Sequence, residues 1–261
     1  MLIVVSPAKA LDFESPLPTR KYTVPDRLER SAQLVEIMAG RAPHELSEMM
    51  GISPGLGELN FERFQDWSLP FTRRNARPAV LAFNGDTYLG IDARATFTER
   101  DYTHAQKVLR ILSGLHGVLR PLDLIQPYRL EMGSKVRDPR CHDLYSYWGT
   151  DVTDRLNADL AASPGADVLV NLASNEYFGV VQPERIDAPI ISPRFMDAKD
   201  DEDYKVVSFF AKRARGAMAG WLVRERINRP SALRQFDGLG YRYEPTRSSP
   251  AQPTFLRRDA V

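Results

Sequence analysis

Four short stretches of this chain carry side chains able to do chemistry. Ser6-Pro7-Ala8-Lys9 follows the apolar run Met1–Val5 and has the Ser-x-x-Lys spacing in which a lysine amine activates a serine hydroxyl. The Lys-Thr-Gly element of such enzymes is absent. Two readings of the stretch remain: a strand-ending turn with one exposed lysine, or a polar turn at a strand's carboxyl end, where open α/β sheets bind ligands, with Lys9 on a phosphate. Phe83 to Gly90 sets the Asp86 carboxylate and the Tyr88 phenol in a glycine-bounded loop. Arg120 to Asp123, with Pro127 to Gly133, brings in Arg120, Asp123, Tyr128, Arg129 and Glu131. Asn171 to Tyr177 supplies Asn171, Ser174 and Glu176. If these loops share one edge of a sheet, Ser6, Asp86, Tyr88, Asp123, Tyr128, Glu131, Asn171, Ser174 and Glu176 form a polar cleft; the alternative is an arginine–carboxylate network that pins loops.

Two further features point to phosphate. From Lys205 to Arg229 there are Lys205, Lys212, Arg213, Arg215, Arg224, Arg226 and Arg229 against Glu225 alone, a local charge of +6. A basic amphipathic face of this kind suits a phosphate backbone, unless the preceding Asp197, Asp200, Asp201, Glu202 and Asp203 neutralise it. Pro43 to Phe64 reads as a helical pair joined by Gly51-Ile52-Ser53-Pro54-Gly55-Leu56 before Gly57. In a helix-hairpin-helix module, a Gly-hydrophobic-Gly-Pro turn presents backbone N–H groups and a helix dipole to a DNA phosphate without reading bases. Here Ser53 stands in the second glycine's place. A plain helical hairpin is the other reading.

Other chemistries lack their residues. There is no Gly-x-x-x-x-Gly-Lys-Ser/Thr loop and no His-Glu-x-x-His, and Gly55-Leu56-Gly57 lacks the third glycine of a dinucleotide fingerprint. His44, His104, His116 and His142 are scattered, and Cys141 is the sole cysteine, so neither a dedicated metal site nor an intrachain disulfide is expected. The net charge of +1, with 35 Lys and Arg against 34 Asp and Glu, confines any basic surface to a local patch. No apolar run is long enough to span a membrane and the N-terminus has no secretory pattern, so a cytoplasmic protein without a membrane partner is expected.

These residues need elements to position them. Met1–Val5, Pro78–Phe83, Asp167–Leu172, Ala188–Ser192 and Lys205–Phe210 read as strands. Helices are expected from Asp26 to Gly40, Tyr102 to Leu119, Asp151 to Ala162 and Ala211 to Asn228. With 261 residues, 43% hydrophobic and 26% charged, the chain suits a single large α/β (mixed α+β) domain: a mixed sheet, flanking helices and an embedded helix-hairpin-helix element at about 43–64. Residues 1–243 form that domain, and 244–261, rich in proline and serine, are expected to be a loose tail.

Taken in order, Ser6-Pro7-Ala8-Lys9, Phe83 to Tyr88, Leu112 to Asp123, Gln126 to Gly133, Asn171 to Ser174 and Ala211-Lys212-Arg213-Ala214-Arg215-Gly216 resemble the YaaA family of bacterial peroxide stress proteins. The resemblance implies a cytosolic protein that limits oxidative DNA damage and free iron and binds duplex or branched DNA without sequence specificity. It also implies a helix-hairpin-helix element and a positively charged cleft. Carried onto this sequence, DNA contacts fall on Gly51, Ile52, Ser53, Gly55 and Gly57 of the hairpin, and on Lys9, Arg120, Arg129, Lys212, Arg213 and Arg215 of the cleft. No catalytic residue carries over, and no cofactor or protein partner is implied. The contrasting reading is an enzyme acting on a nucleotide or another phosphorylated small molecule, with the cleft carboxylates holding Mg²⁺ or serving as general acid and base.

Overall fold

Leu2–Val5 forms strand β1, and every one of its side chains is buried. It lies in the middle of a five-stranded sheet in a computed structural model that describes residues 1–198 and 203–258. The other strands are β2 (Leu109–Ser113), β3 (Gly117–Leu119), β4 (Leu169–Leu172) and β5 (Ile190–Ile191), in the order β3-β2-β1-β4-β5. β1, β2, β4 and β5 run parallel, with Ile3 opposite both Leu109 and Val170, and β3 returns antiparallel to β2. Parallel strands covered on both faces need apolar residues without alternation, which is how Leu2-Ile3-Val4-Val5 reads.

The order of the strands opens a crevice. From β1 the chain crosses to β2 on one side, whereas from β4 it continues to β5 on the other. The loops after β1 and β4 therefore part at adjacent carboxyl ends, the place where open α/β sheets take ligands.

The flanking helices are α1 (Leu28–Ala39), α2 (Pro43–Met50), α3 (Pro54–Asp66), α4 (Asp86–Ile91), α5 (Glu99–Val108), α6 (Asp151–Ala162) and α7 (Ser208–Arg224). α2 and α3 pack together as a helical hairpin. Gly51 closes α2 at φ +62°, a left-handed conformation suited to glycine, while Ser53 has φ −64°, which any residue adopts. Serine in place of a second glycine therefore carries no backbone penalty. Gly57 answers a different need: a Cβ there would stand 2.0 Å from Ser47 Oγ and 2.5 Å from the Pro43 carbonyl oxygen.

Four expectations need correction. The long helix over Tyr102–Leu119 ends at Val108, and Leu109–Ser113 and Gly117–Leu119 are strands. Ile111, Leu112, Leu115 and Leu119 match a helical stripe, but a strand buried on both faces is equally apolar, and Gly117, at φ +66°, turns it into a hairpin. Pro78–Phe83 is a single helical turn, Ala79–Ala82, between two-residue strands, with every residue of that turn buried. Within Lys205–Phe210 only Lys205 pairs as a bridge, to Asp197, and α7 begins at Ser208.

The fourth correction concerns the tail. Thr254–Arg258 (β8) joins Arg194–Ala198 (β6) in parallel and Arg242–Tyr243 (β7) antiparallel, forming a second sheet in the order β6-β8-β7. Phe255 is fully buried and stacks on Phe195 with centroids 5.3 Å apart. Asp197, itself buried, accepts from Tyr241 Oη at 2.8 Å and from Arg257 Nε at 2.7 Å. Proline and serine occupy the approach to β8, not β8 itself. Of the acidic run, Asp200, Asp201 and Glu202 lie outside the described residues, while Asp197 is spent on this network.

Candidate functional site

A cleft of about 590 Å³ opens where the loops after β1 and β4 part. Its floor is stitched by serines: Ser6 Oγ lies 3.3 Å from Ser174 Oγ and accepts from the Ser174 N–H at 2.9 Å. Beneath it, the buried Tyr88 donates to the Ser6 carbonyl at 3.2 Å. Asp86 and Thr87 enter from the start of α4, Glu176 and Asn175 from the loop after β4, and Lys212 and Arg215 from α7.

Glycines bring α4 and α7 into backbone contact over this cleft. A Cβ on Gly216 would lie 1.8 Å from the Thr87 carbonyl oxygen, and one on Gly90 would lie 2.1 Å from the Arg213 carbonyl oxygen. Contact this close fixes Lys212 and Arg215 relative to Asp86 by backbone geometry.

The charges of the cleft divide into met and unmet. Glu131 is met twice, by Lys9 Nζ at 2.7 Å and by Arg129 at 2.9 Å. Glu176 accepts from the Gly133 N–H at 3.1 Å. The side chains of Asp86, Lys212 and Arg215 have neither a hydrogen bond nor an ion pair among the described residues. Arg215 is also largely withdrawn from water, and that burial lowers its pKa, though a guanidinium stays charged at any ordinary pH. A half-buried cation without a counter-charge is costly, so this wall is suited to an anion.

Below the cleft lies a layer of phenols. Burial raises the pKa of Tyr88, Tyr128 and Tyr177, and each stays protonated; Tyr128 Oη shares a 2.7 Å hydrogen bond with Ser113 Oγ. Tyr177 lines the cleft, whereas Tyr88 and Tyr128 stand outside its lining, Tyr88 tied to it through the Ser6 carbonyl.

The structure gathers Ser6, Lys9, Asp86, Glu131, Ser174, Glu176, Lys212 and Arg215 around one space, with Arg129 behind Glu131. It separates others. Arg120 binds Asp123 at 2.9 Å and Asp26 at 3.1 Å, and Thr23 Oγ1 donates to Asp123 at 2.6 Å, so this pair pins the 23–26 segment and stands outside the cleft. Asn171 is spent on Ser192 Oγ at 3.3 Å and on the Ala173 N–H at 3.0 Å. Arg213 is exposed on α7, outside the cleft lining.

Sequence reading also missed residues. Asn84 and Asn175 line the cleft. Arg63 of α3 is partly buried, and first that burial and then the nearby Arg129 charge lower its pKa. The hairpin's second helix therefore adjoins the Arg129–Glu131 side of the cleft. No side chain caps the start of α3. Arg63 falls within the anticipated hairpin, so its charge was visible even though its neighbour was not.

Among the described residues no group of three or more His, Cys, Asp and Glu is placed to hold a metal ion. Nor is any helix there long and apolar enough to cross a membrane.

The fold is that of a mixed α/β protein with a parallel-centred sheet, whose switch point carries a cleft lined by Lys212 and Arg215, neither of them ion-paired among the described residues. Comparison with known proteins narrows this. Residues 1–247 match the family model described as peroxide stress protein YaaA, and the chain belongs to that family of the oxidative stress response. It is 50% identical over 258 residues to a UPF0246 protein of Saccharophagus degradans, covering 99% of this chain and 100% of that one. A UPF0246 protein of Cellvibrio japonicus is 49% identical over 261 residues, covering all of both chains. One of Hahella chejuensis is 51% identical over 258 residues, covering 98% of this chain and 99% of its own.

Proposed function

We propose that this protein acts in the peroxide stress response of the cytoplasm as a DNA-binding protein that limits oxidative DNA damage and free iron. It holds duplex or branched DNA by its phosphates, without reading bases. The observation that carries this reading is the pairing state of the cleft. Lys212 and Arg215 line the cleft without an ion pair to any carboxylate among the described residues. Exposed Arg213 extends the same helix outward, and on the side toward the hairpin Arg63 lies near Arg129, itself paired with Glu131. At the hairpin the uncapped start of α3 supplies N–H groups and a dipole suited to a further phosphate. Contacts of this kind position a duplex without specifying its sequence.

Fluorescence anisotropy with a labelled duplex and a four-way junction, across a salt series, tests the reading. The double variant Lys212→Glu, Arg215→Glu is expected to weaken binding on all sequences alike. It should also flatten the salt slope by about one unit per lost phosphate contact. Unchanged affinity in that variant, or no binding by the natural protein at low salt, overturns the reading.

A further inference from the structure

We infer that the cleft contains a pocket for one nucleotide bearing a terminal phosphate, in which Arg215 and Lys212 hold the phosphomonoester and Asp86 accepts a hydrogen bond from the sugar or base. This deepens the DNA-binding reading, since the same two cations serve both, but it demands more than a backbone track does.

Charge pairing sets the ligand class. With Glu131 matched by Lys9 and Arg129, the charges of the lining that have no ion pair among the described residues are Lys212 and Arg215 and the carboxylates Asp86 and Glu176, of which Glu176 holds the Gly133 N–H. A backbone phosphodiester carries a single negative charge. A terminal phosphate carries about −1.5 to −2 near neutral pH, which balances both cations at one point. Arg215 and Lys212 stand three residues apart on α7, within one turn, so they converge on such a group.

Asp86 favours a ligand with a donor over a bare anion. Inorganic phosphate seated between the cations would set its own charge against this carboxylate, which has no donor among the described residues. A ligand that carries a hydroxyl or N–H beyond its phosphate supplies that donor, and the added hydrogen bond offsets part of the repulsion. The cleft has room for it: about 590 Å³ falls within the roughly 300–1,000 Å³ of small-molecule sites.

An exposed aromatic points to a base. Phe209 is 54% exposed and lies one turn before Lys212 on α7. Its ring centroid is 3.9 Å from that of Phe210, whose ring in turn lies 4.3 Å from the Arg257 guanidinium. Three residues apart on α7, Phe209 and Lys212 share a helix face, so the ring, outside the cleft lining, is positioned to stack on a base that projects from the cleft mouth.

Calorimetric titration of the full chain tests this with a 5′-nucleoside monophosphate, the matching nucleoside and inorganic phosphate. The monophosphate is expected to bind at least about tenfold more tightly than either of the others, the scale of one charge-assisted hydrogen bond. Arg215→Gln should abolish that preference. Lys212→Gln, at an exposed position whose loss leaves the fold intact, should reduce it. Asp86→Asn should raise the affinity for inorganic phosphate.

Single strands with and without a 5′-phosphate separate the two sources of the ligand. A preference for the phosphorylated strand assigns the pocket to strand ends, and equal binding of the two assigns it to free nucleotide. Inorganic phosphate binding as tightly as the nucleotide, or indifference of the monophosphate to Lys212→Gln, overturns the proposal. A duplex without terminal phosphates is titrated alongside. Its binding without nucleotide binding sinks the pocket alone, and nucleotide binding without duplex binding sinks the DNA reading alone.

Discussion

Gly216 of α7 and Thr87 of α4 meet backbone to backbone, so that a Cβ on the glycine would stand 1.8 Å from the Thr87 carbonyl oxygen. The contact joins the basic helix to the start of α4, which carries Asp86. It makes the cleft wall rigid without a side chain in the joint.

Gly216→Ala must therefore push the two helices apart. The expected cost is about 1–3 kcal/mol of stability, as for other overpacked interiors. Lys212 and Arg215 move with their helix, so binding should weaken although no charge has changed. Urea denaturation and DNA anisotropy on the same variant check both effects.

Glu131 restrains two cations of the cleft, Lys9 at 2.7 Å and Arg129 at 2.9 Å. Glu131→Gln should release them, tighten DNA binding and steepen its salt dependence by about one to two units, one for each cation freed. A variant with unchanged slope would place both side chains away from the bound phosphates.

His116 is buried, its Nδ1 lies 2.8 Å from Ser31 Oγ, and burial lowers its pKa to about 3. Unfolded chains, with a histidine pKa of about 6.5, take up the proton first as the pH falls. Stability is thus lost progressively from about pH 6.5 down toward pH 3, by at most roughly 1.4 kcal/mol per pH unit from this residue. His116→Gln should flatten the decline between pH 6.5 and pH 5, as read from denaturation midpoints along a pH series.

Phe255 anchors β8 against Phe195, with no exposed surface. Phe255→Ala should cost about 3–5 kcal/mol. Deleting residues 248–261 should be at least as damaging, since it removes the strand that pairs with both β6 and β7. Thermal unfolding of both variants measures this, and a tail deletion with unchanged melting temperature would show that the second sheet adds nothing to stability.

Much of the local structure was legible in the sequence. β1, α1, α6 and the hairpin helices fall where apolar spacing, proline and glycine indicated, because each is bounded by residues that no other conformation suits as well. The charge of α7 and the polar character of the loops after β1 and β4 were likewise readable, since residue types alone carry them. The division of Tyr102–Leu119 into helix and strand was not, because an apolar run buried on all sides has no periodicity that distinguishes the two. β8 was hidden for a related reason: its partner β6 lies some 60 residues earlier, and long-range pairing leaves no local mark.

The cleft shows the same boundary more sharply. Sequence supplied arginines and carboxylates in comparable numbers but could not say which would meet. Only the tertiary structure gave Arg120 to Asp123, gave Arg129 and Lys9 to Glu131, and left the side chains of Lys212, Arg215 and Asp86 without partners among the described residues. Pairing depends on distances of a few ångströms between segments far apart in the chain, and those distances are set by strand order and by the close approach of α4 and α7.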